Sequence, residues 1–310
     1  QVPIPRSSGT GSIPFVNIGE VNNTGVDLNI TYRDQIGQLR YSISGQISQY
    51  KNNVVKLNDD PNASIFGFVT RVPAISLTKA GLPIASFFGY VVEGVLKDDA
   101  EAAAAVQIPG YTRAGVFKFK DVNGDGKINA SDRTVIGNPH PDFTYGLNLN
   151  LGYKNWDFTV FAQGVQGNEI FNYLKYWTDF NTFQGNRSTD MLTKSWKKQG
   201  DVAQLPRLNA SDTFSQQIST YFVEDGSYMR IKNIQLTYTV PTKVLKKIKL
   251  SSMQVYVQGQ NLLTLTKYKG LDPDINIRNS GADNQDIHMG IDEGAFPVAK
   301  SYNVGLRVGF

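Results

Sequence analysis

Phe143-Thr-Tyr145-Gly-Leu147-Asn-Leu149-Asn-Leu151-Gly-Tyr153 alternates apolar and polar residues over eleven positions without an error. Successive side chains of a strand point to opposite faces. The run therefore builds one face from Phe143, Tyr145, Leu147, Leu149, Leu151 and Tyr153, and the other from Thr144, Gly146, Asn148, Asn150 and Gly152. A strand in a soluble domain runs about 5 to 6 residues, whereas a tilted strand crossing a bilayer needs about 9 to 11. The length of the run points to a membrane wall.

The pattern recurs along the chain. Val26, Leu28, Ile30 and Tyr32 oppose Asp27, Asn29, Thr31 and Arg33, and Leu39, Tyr41, Ile43, Gly45 and Ile47 oppose Arg40, Ser42, Ser44, Gln46 and Ser48. Trp156, Phe158, Val160 and Ala162 oppose Asp157, Thr159 and Gln163, and Met253, Val255 and Val257 oppose Gln254, Tyr256, Gln258 and Gln260. The last run sets Tyr302, Val304, Leu306, Val308 and Phe310 against Ser301, Asn303, Gly305, Arg307 and Gly309. Between Met229 and Val240 the apolar parity switches from odd (Met229, Ile231) to even (Ile234, Leu236, Tyr238), which predicts a bulge near Asn233. Ser86 to Leu96 is rich in aromatics but alternates poorly, and reads as an eighth strand.

Short turns at Asp34 to Gly37 and Lys154 to Asn155 alternate with long excursions at 97–140, 166–226 and 264–297. Short turns at one rim and long loops at the other are the layout of an outer-membrane barrel. Tyr32, Phe143, Tyr153, Trp156 and Tyr302 stand near strand ends, where interfacial aromatic girdles form. A soluble β-sandwich also alternates, but with shorter strands and no need for rings at both ends.

Composition narrows the function. The 310 residues include 40% apolar residues, 31 basic against 27 acidic side chains, and no cysteine. A disordered chain is excluded, as are disulfides, thiol catalysis and cysteine-ligated zinc. The charge of +4 is spread out, with only short clusters such as Lys243, Lys246, Lys247 and Lys249, so no nucleic-acid partner is expected. No stretch approaches the roughly 18 to 20 apolar residues of a membrane helix, so any crossing is made by strands. The chain opens Gln1-Val-Pro3-Ile-Pro5, with no initiating Met, basic segment or apolar leader, and an internal start within a longer protein is the expectation.

Asp121-Val-Asn123-Gly-Asp125-Gly126-Lys127-Ile-Asn129-Ala-Ser-Asp132 follows the calcium-loop pattern D-x-[DN]-x-[DN]-G. Oxygens of Asp121, Asn123, Asp125 and Asn129, the Lys127 carbonyl and a closing Asp132 would ligate Ca2+. Asp132 is shorter than the usual closing Glu, which leaves Mg2+ as the alternative ion, and a plain Asn/Gly/Asp turn is the competing reading. No catalytic constellation stands out, so an enzyme is not expected. His140 and His288 read as surface loop residues, and Asp272, Asp274, Asp292 and Glu293 have no known separation that would make a glycosidase pair. Ile170, Phe171, Leu174 and Trp177 stand at helical spacing with Tyr173, Tyr176 and Phe180 on a neighbouring arc, and these rings are expected to pack the loop more than to face a ligand.

Several separate motifs together resemble the SusC/RagA family of TonB-dependent outer-membrane transporters, over essentially the whole chain. They are Asn17-Ile-Gly19-Glu-Val-Asn22-Asn-Thr-Gly25-Val-Asp27, Gly81-Leu-Pro83-Ile-Ala-Ser86-Phe-Phe-Gly-Tyr90, Phe117-Lys-Phe-Lys-Asp121, and Thr134-Val-Ile-Gly137-Asn-Pro139. Further along come Tyr228-Met-Arg230-Ile-Lys-Asn233-Ile, Gln260-Asn-Leu-Leu263, Gly270-Leu-Asp272-Pro273, Asp292-Glu-Gly294-Ala-Phe-Pro297 and the terminal Phe310. The Ala-rich stretch Glu101 to Val106 and Phe296, where the family often has Tyr, depart from the pattern.

The resemblance implies an all-β fold: about eight antiparallel strands forming the C-terminal portion of a transmembrane barrel of about 22 strands, with long extracellular loops carrying short helices. It also implies a plug domain, a TonB-contacting segment and early strands lying outside residues 1–310. A SusD-like surface lipoprotein would close over the mouth, and oligosaccharides or oligopeptides would be imported across the bacterial outer membrane. Tyr302 to Phe310 would be the strand read by the barrel-assembly machinery. Asp27, Asn29, Asn148, Asn150, Gln254, Gln258 and Arg307 are expected to line the lumen. A secreted or surface calcium-dependent binding module without transport is the alternative.

Overall fold

The computed structural model describes residues 19–69, 72–180, 185–275 and 285–310, so Asn17 and Ile18 of the first motif lie outside it. Seven strands form one antiparallel sheet in chain order: β1 (Glu20–Ile36), β2 (Leu39–Lys56), β3 (Phe143–Tyr153), β4 (Trp156–Gln166), β5 (Tyr228–Thr239), β6 (Ser252–Thr266) and β7 (Ser301–Gly309). Their lengths run from 9 to 18 residues, enough to cross a bilayer when tilted. The connections 37–38, 154–155 and 240–251 lie at one rim, and the long excursions 57–142, 167–227 and 267–300 rise from the other.

Cross-strand partners share a face, so the register decides what each face is made of. One row runs Tyr32, Ile43, Leu149, Val160, Ile234, Gly259, Tyr302 across all seven strands. The next runs Tyr41, Leu151, Phe158, Leu236, Val257, Val304. The expected bulge is present: the ladder skips Lys232 between Ile231 and Asn233, which keeps Ile231 and Ile234 on the same apolar face.

Among the described residues nothing covers this face. Val26 is 71% exposed, Tyr302 77% and Val304 80%. Seven strands about 4.8 Å apart with about ten residues each at about 3.3 Å make a sheet on the order of 1,000 Å² per side, beyond the few hundred Å² of contiguous apolar surface that a soluble monomer tolerates. Tyr32 and Tyr41, with ring centres 6.0 Å apart, and Trp156 and Tyr238, 4.7 Å apart, close the apolar band at the short-turn rim.

The segment Ser86 to Leu96 is not an eighth wall strand. It splits into Ser86–Gly89, which joins Ser64–Val69, Val72–Lys79 and Thr134–Gly137 in a four-stranded sheet, and Val92–Val95, which pairs with Phe117–Phe119. The cause is burial: Ser86 and Phe87 are fully enclosed, and after Gly89, which still pairs with Thr134, the Tyr90 N–H turns to the Ile218 carbonyl at 2.8 Å, which ends the strand. The first excursion therefore starts at residue 57 rather than 97.

The excursions pack into a cap with its own core. Phe87, Phe117, Phe119, Phe171, Phe222, Tyr90, Tyr111 and Ile75 are all buried in it. The Ala-rich departure forms a short helix, Asp99–Ala104, whose N-cap Asp98 carboxylate accepts the Glu101 N–H at 2.8 Å.

Candidate functional site

The face opposite the apolar band is largely polar, interrupted on β4 by Phe161 and Val165. Asp27, Asn29, Asn148, Asn150, Gln254, Gln258 and Arg307 all fall on it, as expected. Neighbouring strands are laced across it by side chains: Thr159 donates to Asn150 (3.0 Å), Gln258 to Asn233 (2.7 Å) and Arg307 to Gln254 (3.2 Å), and Arg40 pairs with Asp157 (3.3 Å). These groups remain accessible, which makes the face a hydrated surface able to exchange hydrogen bonds with a polar solute.

The last excursion is pinned to this face by a buried charge cluster. Arg230 of β5 is 2% exposed, pairs closely with Asp272, and reaches Asp274 at 3.3 Å and the Thr264 hydroxyl at 2.8 Å. Lys232, held on the polar side by the bulge, reaches Asp274 at 2.9 Å. Asp272 also accepts the N–H groups of Asp274 (2.8 Å) and Val298 (3.0 Å). Burial alone would raise its pKa, but these N–H groups and the Arg230 guanidinium outweigh it and hold the carboxyl below the ordinary range.

Farther along, the buried Asp292 accepts the Tyr268 hydroxyl (2.5 Å) and the N–H groups of Gly294 (2.8 Å) and Ala295 (3.0 Å). Burial first, and then this hydrogen bond, raise the Tyr268 pKa. The carboxylates considered for acid–base chemistry are thus committed to structural partners, apart from Glu293, whose pKa burial raises.

The loop 121–132 closes on itself. Asp121 accepts from the N–H groups of Gly124 (2.7 Å) and Gly126 (2.8 Å), Asn123 from Asp125 (2.9 Å), and Asp125 from Lys127 (2.9 Å). Gly124 and Gly126 sit at φ +75° and +76°, the left-handed region that glycine occupies freely. Asn129 caps the short turn Ala130–Asp132, and the fully buried Asp132 accepts from Val122 (3.0 Å) and Asn129 (2.7 Å). All six candidate donors supply oxygen, the chemistry of a hard cation. Among the described residues no three Asp, Glu, His or Cys groups converge as a metal cluster.

Both histidines are buried, not superficial: His140 is 6% exposed and His288 8%. His140 Nε2 lies 3.0 Å from the Ile84 carbonyl, His288 meets Phe68 edge-on at 5.6 Å, and burial lowers both pKa values. Ile170 and Phe171 lie on a strand, Glu169–Asn172, and only Leu174–Thr178 is helical. Their strand pairs with the distant Val223–Asp225 and Ile291–Asp292, which overrides the local helical spacing. Phe171, Tyr173 and Phe180 pack inward in the cap.

No family model matches the sequence. TonB-dependent receptor P3 of Formosa agariphila is 33% identical over 99% of this chain and 30% of that protein. TonB-dependent receptor SusC of Bacteroides thetaiotaomicron is 26% identical over the whole chain and 28% of that protein. The RagAB peptide importer in its open-open state superposes with a TM-score of 0.75, at 24% identity, over the whole chain and 31% of the compared chain. The chain is SusC/RagA-like. It spans about 30% of the length of the curated relatives it matches, and its seven-stranded sheet matches part of a TonB-dependent barrel.

Within this SusC/RagA-like frame, the quoted motifs turn out to be joints. Arg230 and Asp272 come from two motifs and meet as one ion pair. The Asn138 N–H of a third donates to Glu169 at 2.7 Å. Asn23 of the first accepts from Asn52 (2.7 Å), which in turn accepts the Ile84 N–H of the second (2.8 Å). Nothing local in the sequence pairs Arg230 with Asp272; the signal is a basic residue on a wall strand and an acidic residue at a Pro-marked turn.

Proposed function

We propose that this segment is part of the wall and cap of a SusC-like channel that imports nutrients across the bacterial outer membrane in a TonB-dependent way. The observation that carries the reading is the single-layer sheet with one predominantly apolar face and one hydrated, largely polar face. Among the described residues β1 pairs only with β2, and β7 only with β6. Two open edges in lipid leave N–H and C=O groups unpaired, so earlier strands of the same protein complete the barrel. A secreted calcium-binding module does not account for the exposed apolar rows.

The substrate is taken to be an oligosaccharide, with an oligopeptide as the alternative. A polar wall of amide and hydroxyl groups suits either solute. The partners are a SusD-like surface lipoprotein over the cap, and TonB acting through the rest of the protein. Loop 121–132 would hold Ca2+, or Mg2+, as a structural ion supported by its all-oxygen donor set.

The test is native mass spectrometry of the intact complex, purified from outer membranes and offered separate glycan and peptide pools. Retention of oligosaccharide with a bound lipoprotein is expected. Retention of peptides alone would move the assignment to the alternative, and a complex that ignores both pools and has no lipoprotein partner would overturn it.

A further inference from the structure

We propose that the short-turn rim carries a binding surface for anionic phospholipid headgroups, built from Lys243, Lys246, Lys247 and Lys249. The inference rests on the membrane reading above. Between β5 and β6 the chain forms a four-residue helix, Thr242–Leu245, continued by a tight turn, Lys246–Ile248. Leu245 is 2% exposed and anchors this connection, its carbonyl accepting the Leu250 N–H at 3.2 Å. The four lysines are all exposed.

Charge is strongly unbalanced here. No Asp or Glu occurs between Asp225 and Asp272. Arg230 and Lys232 are answered by Asp272 and Asp274, but among the described residues the four rim lysines have no acidic partner. A fifth cation adds to them: exposed Lys154 sits in the adjoining turn, which is clipped to the end of β5 where Asn155 Nδ2 donates to the Thr239 carbonyl and the Thr239 N–H to the Asn155 carbonyl, both at 2.8 Å. The other short turn at this rim differs, because Asp34 stands beside it and accepts the Tyr32 and Tyr41 hydroxyls. The basic surface is therefore local.

Its depth identifies the partner. Tyr153, Trp156 and Tyr238 share one row at the end of the apolar band, where aromatic side chains mark the boundary between hydrocarbon and headgroups. Val244, 50% exposed, stands among the lysines. A phospholipid meets both demands at once, with phosphate against the ammonium groups and acyl chain against Val244 and Trp156. Lysine acts on such a phosphate as a flexible point charge, which suits a mobile headgroup.

The experiment uses the intact receptor, stripped of lipid in detergent and offered equal amounts of phosphatidylglycerol and phosphatidylethanolamine, with retained lipid counted by native mass spectrometry. Each lysine near a charged surface contributes about fivefold, so replacing all four (K243Q, K246Q, K247Q, K249Q) is expected to cut the preference for phosphatidylglycerol by at least about tenfold. Arginine at the same four positions is expected to restore it. An unchanged preference in the glutamine variant, or no recovery with arginine, overturns the proposal. Resistance of the intact protein to alkaline extraction from membranes is measured alongside. A protein that extracts freely sinks the membrane reading itself, whereas one that stays inserted without lipid preference sinks only the headgroup surface.

Discussion

Arg230 on the wall and Asp272 in the last excursion form a buried ion pair across 42 residues of chain. Taking one partner away leaves the other charge enclosed without compensation, which costs about 3 to 5 kcal/mol. Asp272→Ala in the intact protein is therefore expected to free residues 267–300 from the wall, read as faster amide exchange confined to that excursion. Because the Asp272 carboxyl is held below its ordinary range, its contribution is present above about pH 4 and is lost as pH falls through the lowered value. Unchanged exchange in the alanine variant would count against the pinning role.

The buried histidines act at a higher pH. His140 and His288 both have lowered pKa values, so the unfolded loops bind protons that the folded cap refuses. Cap stability is then complete above the unfolded value of about 6.5 and declines as pH drops below it. His140 Nδ1 and His288 Nδ1 are buried without a partner, so protonation there adds a donor with nothing to accept it. Protection of the 57–142 amides, taken relative to the intrinsic exchange rate at each pH, is expected to be lower at pH 5 than at pH 7.5, and the double substitution His140→Gln and His288→Gln is expected to flatten that difference.

For loop 121–132, the metal reading and the self-closed turn make opposite forecasts. If Ca2+ binds, adding it to chelator-treated protein slows exchange in this loop, and Asp121→Ala with Asp125→Ala abolishes the response. If hydrogen bonds from Gly124 and Gly126 to Asp121 suffice, calcium changes nothing. Gly126→Ala is expected to cost about 1 kcal/mol or more in either case, because φ +76° strains any residue with a Cβ.

The cap core offers a direct contrast. Phe171 is fully buried and stacks on Phe222 at 5.3 Å, so Phe171→Ala is expected to destabilise the cap by about 3 to 5 kcal/mol. Val202 is 97% exposed, and Val202→Ala should fall within about 0.5 kcal/mol of the parent. Protease susceptibility of the 167–227 excursion separates the two.

What could be read without coordinates followed the range of the physics involved. Period-two alternation is local, so Phe143–Tyr153 announced its strand and both faces, and the parity switch around Asn233 announced the bulge. Ser86 to Leu96 and Ile170 to Trp177 misled because their partners, Thr134–Gly137 and Ile291–Asp292, lie far along the chain. The same distance hid the burial of His140 and His288 and the meeting of Arg230 with Asp272. In loop 121–132 the spacing pointed to a calcium loop, with a plain Asn/Gly/Asp turn as the competing reading, while the direction of each carboxylate is set by backbone N–H groups.

The face assignment itself is open to a paired test at the middle of the wall. Leu149 belongs to the apolar row of Ile43 and Val160, whereas its neighbour Asn150 lies in the polar row of Ser42 and Thr159. A lysine on the lipid face near mid-depth costs about 2 to 4 kcal/mol, and on the lumen face it stays hydrated. Leu149→Lys in the intact protein is therefore expected to lower folding stability in lipid by that amount, measured by denaturant titration in bilayers, and Asn150→Lys to leave it nearly unchanged. Equal effects would mean that both faces meet the same solvent, which no membrane wall allows.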